Sequence, residues 1–95
     1  MAAYLIADLE VKDPSAFEEY RKQVPATIEK YGGRYLARGG ATEALEGEWR
    51  PRRVVILEFP SVAAARRWYD SEEYRAPKAL RRRAAVTNLI LVEGL

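Results

Sequence analysis

The segment from residue 34 to residue 61 constrains the fold more than any other part of the chain. Arg34-Tyr35-Leu36-Ala37-Arg38 reads as a short strand, and Gly39-Gly40 bends or ends it. A polar, acidic loop follows and carries Trp49, one of two tryptophans. Residues 53–59 then form a nearly continuous apolar strand broken only by Glu58, and Pro60-Ser61 hands the chain to a helix.

The rest of the chain follows from periodicity. Residues 4–11 alternate, with Leu5, Ala7, Leu9 and Val11 on one face and Tyr4, Ile6, Asp8 and Glu10 on the other. Lys12-Asp13-Pro14 stops this strand. Asp13 suits a helix cap and Pro14 the first helical position. Phe17, Tyr20, Val24, Ile28 and Tyr31 recur at three- and four-residue spacing, so a helix runs to Gly32-Gly33, with a kink expected at Pro25. A second helical region spans 62–69. Asp70-Ser71 breaks it, and Ser71 caps a further short helix whose regularity Pro77 limits. Residues 85–93 form the last strand. The order is β-α-β-β-α-β in a single domain over residues 1–95. It predicts an α+β, ferredoxin-like plait with a four-stranded antiparallel sheet and its helices on one face.

Such a sheet has one free face, which should be polar. Here Val54 and Ile56 oppose Val55, Leu57 and Phe59, while Leu89 and Leu91 oppose Ile90 and Val92. Something must cover the second face, and a second copy of the sheet is the natural cover. The reading is a homodimer joined through its sheet faces. Trp49 is expected to anchor that interface rather than to close a pocket.

Composition narrows the chemistry. The chain has no cysteine and no histidine, so thiolate nucleophiles, zinc-thiolate sites and histidine-based acid/base catalysis are excluded. A metal would rest on carboxylates alone, and no Asp-x-Asp spacing offers them; neither metal nor cofactor is expected. The net charge is only +2. The run Arg81-Arg82-Arg83 reads as a solvated helix end with one member turned inward, and no nucleic-acid partner is expected. No basic leader and no membrane-length apolar run are present, so a cytoplasmic protein without a membrane partner is expected.

The motifs Ala3-Tyr4-Leu5-Ile6-Ala7, Tyr20-Arg21-Lys22-Gln23-Val24-Pro25, Tyr31-Gly32-Gly33-Arg34-Tyr35-Leu36, Glu58-Phe59-Pro60-Ser61 and Trp68-Tyr69-Asp70-Ser71-Glu72-Glu73-Tyr74 stand in the order of a known family. With Arg38-Gly39-Gly40, Leu45-Glu46-Gly47-Glu48-Trp49 and Leu91-Val92-Glu93-Gly94, the whole chain resembles domain of unknown function 1330. The resemblance implies the dimeric α/β-barrel superfamily. That superfamily includes cofactor-free monooxygenases, lactone isomerases, haem-dependent dismutases and amino-acid-sensing modules, so fold alone does not choose among them. The missing histidine removes a proximal haem ligand.

The polar exceptions are the candidate site. Glu58 interrupts an apolar strand and reads either as a general base or as the ion-pair partner of Arg38 or Arg53. Arg38 reads as a carboxylate clamp or as an ion-pair partner. Tyr20, Tyr69 and Tyr74 come from the helical layer and serve either as core or as cavity lining. Asn88 reads as cavity-facing or as a turn residue. The expected site comprises Glu58 and Tyr69 in catalysis, with Tyr20, Arg38, Tyr74 and Arg81 holding an unidentified small molecule. Two functions fit: a small-molecule-binding domain working as a cofactor-independent, oxygenase- or isomerase-like enzyme, or a non-catalytic dimerising or ligand-sensing module.

Overall fold

The computed structural model describes residues 1–95 as one sheet and one helical layer. The elements are β1 (Ala3–Val11), α1 (Pro14–Lys30), β2 (Arg34–Arg38), β3 (Val54–Phe59), α2 (Val62–Tyr69), α3 (Glu72–Ala84) and β4 (Ala85–Glu93). The sheet order is β2-β3-β1-β4, every neighbour antiparallel, which is the ferredoxin-like plait. The Cα envelope measures 35 × 34 × 16 Å, and the helices pack on the face of the sheet that carries Leu5, Leu9, Leu57 and Phe59.

Local chemistry sets the boundaries. Asp13 caps α1 by accepting from Ala16 N at 3.2 Å, and Pro14 occupies the first turn. Ser61 and Ser71 cap α2 and α3 through the amides of Ala64 and Tyr74. The last helix is longer than the residues around Pro77 suggest. It runs for 13 residues, with the proline ring buried against the core. Pro25 likewise sits inside α1, whose helical path continues to Lys30. A proline there withdraws the amide that would bond the carbonyl of Arg21. Arg38 fills that vacancy, its Nη2 donating to the Arg21 carbonyl at 3.0 Å.

The inner face of the sheet carries Leu5 and Leu9 of β1, Leu57 and Phe59 of β3, and Ala85 of β4, all buried. Two core clusters form there. The larger gathers Leu5, Val24, Ile28, Leu57, Phe59, Trp68 and Tyr74; the smaller gathers Leu9, Phe17, Ala84 and Ala85. Tyr20 and Val55 pack against both. Between Leu5 and Leu9 the inward residue of β1 is only Ala7, so the seam between the clusters is underfilled.

The open face is apolar where the alternation predicts. Tyr4, Ile6, Val54, Ile56, Val86, Ile90 and Val92 share it by register. Ile90 is 59% exposed, Val86 57% and Leu36 48%. Trp49, on the long loop, donates its Nε1 to Asp8 Oδ2 at 3.1 Å, and Asp8 belongs to this same face. No helix is long and apolar enough to cross a membrane.

Candidate functional site

The underfilled seam is a cavity of about 50 Å³ between the sheet and helices α1–α3. Its walls are mostly apolar and aromatic: Leu5, Ala7, Phe17, Tyr35, Leu57 and Trp68 are among them. Its polar groups are Tyr20, Tyr74, Thr87 and four arginines, Arg21, Arg38, Arg53 and Arg81. No carboxylate lines it.

Arg38 reaches the cavity because β2 is irregular. Tyr35 pairs with Leu57, Ala37 with Ile56 and Arg38 with Val55, which leaves Leu36 as an extra residue. In a regular strand residues 35 and 38 point to opposite faces. The bulge puts both on the helical side, where the Arg38 guanidinium lies 4.5 Å from the centroid of the Tyr35 ring. Arg53 enters from the residue before β3. It lies 5.4 Å from the ring centroid of Phe17 and against Gly39, where a Cβ would stand 2.5 Å from the guanidinium carbon. Gly39 has φ +74°, so its lack of a side chain serves both the turn and the arginine.

The second polar group is a chain of hydroxyls. Arg81 Nε donates to Tyr74 Oη at 3.3 Å, and the Tyr74 and Tyr20 hydroxyls are 2.9 Å apart. Trp68 stacks on Tyr74 with ring centroids 4.0 Å apart, and its Nε1 donates to Thr27 Oγ1 at 2.9 Å. One bond between two hydroxyls uses only one of their two hydrogens, so the pair keeps a spare donor. Burial, reinforced by neighbouring Tyr74, pushes Tyr20 far above the ordinary phenol range. Burial also raises Tyr74, with Arg81 opposing, and raises Tyr35, with Arg38 opposing. All three are therefore neutral donors at physiological pH.

Three buried polar atoms have no protein partner: Arg21 Nε, Arg53 Nε and Thr87 Oγ1. All three residues line this cavity. Burial, then the charges of Arg21 and Arg38, lowers the Arg53 pKa below the ordinary guanidinium value.

The structure thus brings Tyr20, Arg38, Tyr74 and Arg81 around one space and leaves two expected residues outside it. Glu58 lies on the opposite, open face, because Leu57 and Phe59 take the inward positions of β3. Its Oε1 accepts from Arg34 Nε at 2.7 Å, the directly opposed residue on β2; neither Arg38 nor Arg53 is its partner. Glu58 is therefore not placed to act as a base in the cavity. Tyr69 does not line the cavity either. It faces a surface groove near β4, with Lys78 Nζ 4.1 Å from its ring centroid. Asn88 faces the open side, paired with Asp8 in register. Of the run 81–83, Arg81 is buried and Arg82 and Arg83 are exposed. Sequence reasoning missed Arg21, Arg53 and Thr87 as lining residues. A usable signal existed for Arg21, which lies four residues after Phe17 and beside Tyr20 on the helix stripe.

Comparison with solved structures shows the same fold in proteins of distant sequence. The RPA0582 protein of unknown function from Rhodopseudomonas palustris superposes with a TM-score of 0.78 at 23% identity, covering 99% of this chain and 82% of that one. SnoaB, a cofactor-independent oxygenase from Streptomyces nogalater, gives 0.67 at 13% identity, with coverage of 99% and 93%. A dimeric ferredoxin-like protein of unknown function from Jannaschia sp. CCS1 gives 0.67 at 13% identity, with coverage of 100% and 99%. No curated protein matches the chain. The family model of domain of unknown function DUF1330 matches residues 2–95, and the chain belongs to that family.

Proposed function

We propose that this protein is a small-molecule-binding domain that works as a homodimer, with one cavity in each protomer. The observation that carries the reading is the coincidence of an underfilled seam with three unpartnered buried polar atoms, Arg21 Nε, Arg53 Nε and Thr87 Oγ1. Buried polar groups are normally satisfied, and a cluster of exceptions around one space is what a ligand or ordered water would complete. The dimer reading rests on the apolar open face and on the dimeric relative of the same fold.

Ala7 provides the test. It faces the cavity from a central strand, opposite Val55 and Leu89. Ala7→Val adds two methyl groups to the seam. A thermal-shift screen of aromatic and aliphatic metabolites should find stabilising compounds for the natural protein, and Ala7→Val should fold while losing their effect. Hits that stabilise both proteins equally place the binding elsewhere and refute the reading.

Catalysis is a second reading, favoured by the cationic and hydroxyl donors around the cavity. These groups stabilise an oxyanion, and the lining offers neither carboxylate nor histidine to remove a proton. A substrate that supplies its own enolate to dioxygen needs no more, and SnoaB shares this fold. Oxygen uptake with a hit acidic enough to be an enolate at the assay pH, absent in Arg53→Gln, is the expected result; ligand binding without uptake leaves the module non-catalytic.

A further inference from the structure

We propose that the cavity selects a small organic acid, holding its carboxylate among Arg21, Arg38 and Arg53 with its apolar body against Phe17, Tyr35 and Leu57. This rests on the binding reading above and gives it a chemical class.

The first support is uncompensated charge. Arg21, Arg38 and Arg53 come from α1, the end of β2 and the residue before β3, and all face one cavity. Arg38 bonds the backbone carbonyl of Arg21, which ties the Arg38 guanidinium to α1 at the residue whose own side chain lines the cavity. The ion pairs of the chain leave Arg38, Arg53 and Arg81 without any carboxylate within 4.0 Å. Arg21 has Glu18, at 3.3 Å on the exposed side of the helix, and its Nε is still unpartnered. Arg21 and Arg53 are half-buried and Arg38 is exposed at the edge of the cavity; like charges gathered there repel, and an anion between them reverses the sign of that interaction. Guanidinium forks suit a planar carboxylate, which accepts two parallel bonds.

The second support is the composition of the remaining walls. Apart from the four arginines, Thr87 and the Tyr20–Tyr74 pair, the remaining eleven of the eighteen lining residues are all apolar or aromatic. An inorganic anion leaves those walls against water, whereas an organic acid covers them. The hydroxyl pair Tyr20–Tyr74, with its spare hydrogen, offers one further donor to a carbonyl or hydroxyl on the same molecule.

The experiment is calorimetric titration of the intact protein at low ionic strength with hexanoate, benzoate, hexanamide, hexylamine and sulfate. The carboxylates are expected to bind, with the amide at least about tenfold weaker and binding reduced by added salt. Arg53→Gln and Arg38→Gln should each weaken carboxylate binding by about tenfold or more, while Arg83→Gln, on an exposed position, should not change it. Equal or tighter binding of the amide or amine overturns the carboxylate assignment and leaves the binding reading standing. Equal binding of sulfate overturns the organic body. If no member binds at millimolar concentration, while the metabolite screen finds a neutral ligand blocked by Ala7→Val, the charge argument alone has failed. If that screen is also empty, both readings fall.

Discussion

Gly39 and Gly40 are adjacent and identical in type, yet the structure assigns them different duties. Gly39 has φ +74°, and an added Cβ would stand 2.5 Å from Cζ and Nη1 of Arg53. Around Gly40 nothing lies within 4 Å, and its φ is not positive. Gly39→Ala therefore meets two costs. The left-handed backbone costs an alanine about 1–2 kcal/mol. The guanidinium must retreat by about 1 Å to reach an ordinary contact, and forcing its side chain off a preferred rotamer costs about 0.5–1.5 kcal/mol. Reduced freedom of the unfolded chain returns about 0.4–1 kcal/mol. The balance is a loss of about 1–2 kcal/mol, which for a domain of this size lowers Tm by roughly 5–15 °C. Gly40→Ala should leave Tm unchanged or slightly raised. Thermal unfolding followed by circular dichroism measures both. The clash is separable from the backbone strain: in an Arg53→Ala background, Gly39→Ala should cost less by about the rotamer share. Equal effects of the two glycine substitutions, or no coupling between Gly39 and Arg53, would refute the claim that Gly39 is vacant for the arginine.

Other consequences are equally direct. Ile90→Asp places a charge on the open face, on the edge strand beside Ile6 of β1, and should convert a sedimenting dimer to a folded monomer; a dimer that persists contradicts sheet-to-sheet association. Hydrogen bonds from Lys30 and then Tyr31 hold the Glu73 carboxyl down to about 2, against an ordinary 4.5. Its folded value is depressed, so its contribution is complete above 4.5 and is lost as pH falls from there to about 2. Glu73→Gln should therefore flatten the acid-unfolding profile in that window alone, and a loss confined to neutral pH would contradict the assignment. Pro25→Ala restores an amide that competes with Arg38 for the Arg21 carbonyl, so thermal stability should hold or rise while carboxylate affinity falls; affinity that is unaffected shows that Arg38 does not need this anchor.

The elements were legible because each rests on a short-range rule. Alternation in residues 4–11 separates Leu5 and Leu9 from Tyr4 and Ile6, and the structure keeps that division. Asp13-Pro14 caps a helix by local chemistry, and so does Ser71. The two apolar faces of β3 and β4 needed only a count of successive residues. Glu58 was visible as an exception, but its inward or outward sense was not read from its neighbours. Leu57 and Phe59 are larger and apolar and claim the helical side, so parity sends Glu58 outward to Arg34. Arg21, Arg53 and Thr87 were hidden for a different reason. Each stands at the margin of an apolar stripe, where exposure to solvent and exposure to a cavity look the same in one dimension.

The cavity itself is assembled from departures that each look like a weakness in isolation. Ala7 underfills a central strand, the extra residue Leu36 interrupts a ladder, Pro25 removes a helical hydrogen bond, and Gly39 surrenders a side chain. Together they are consistent. Ala7 provides the volume, and the bulge turns Arg38 inward beside Tyr35. Pro25 frees the carbonyl that Arg38 needs, and Gly39 admits Arg53. A fold selected only for stability has no reason to gather an underfilled strand, a bulge and a helical proline around unpaired guanidinium nitrogens. Their convergence on one space is the argument for the proposed site on the arginine side of the cavity, while Glu58 stands apart on the open face, paired with Arg34.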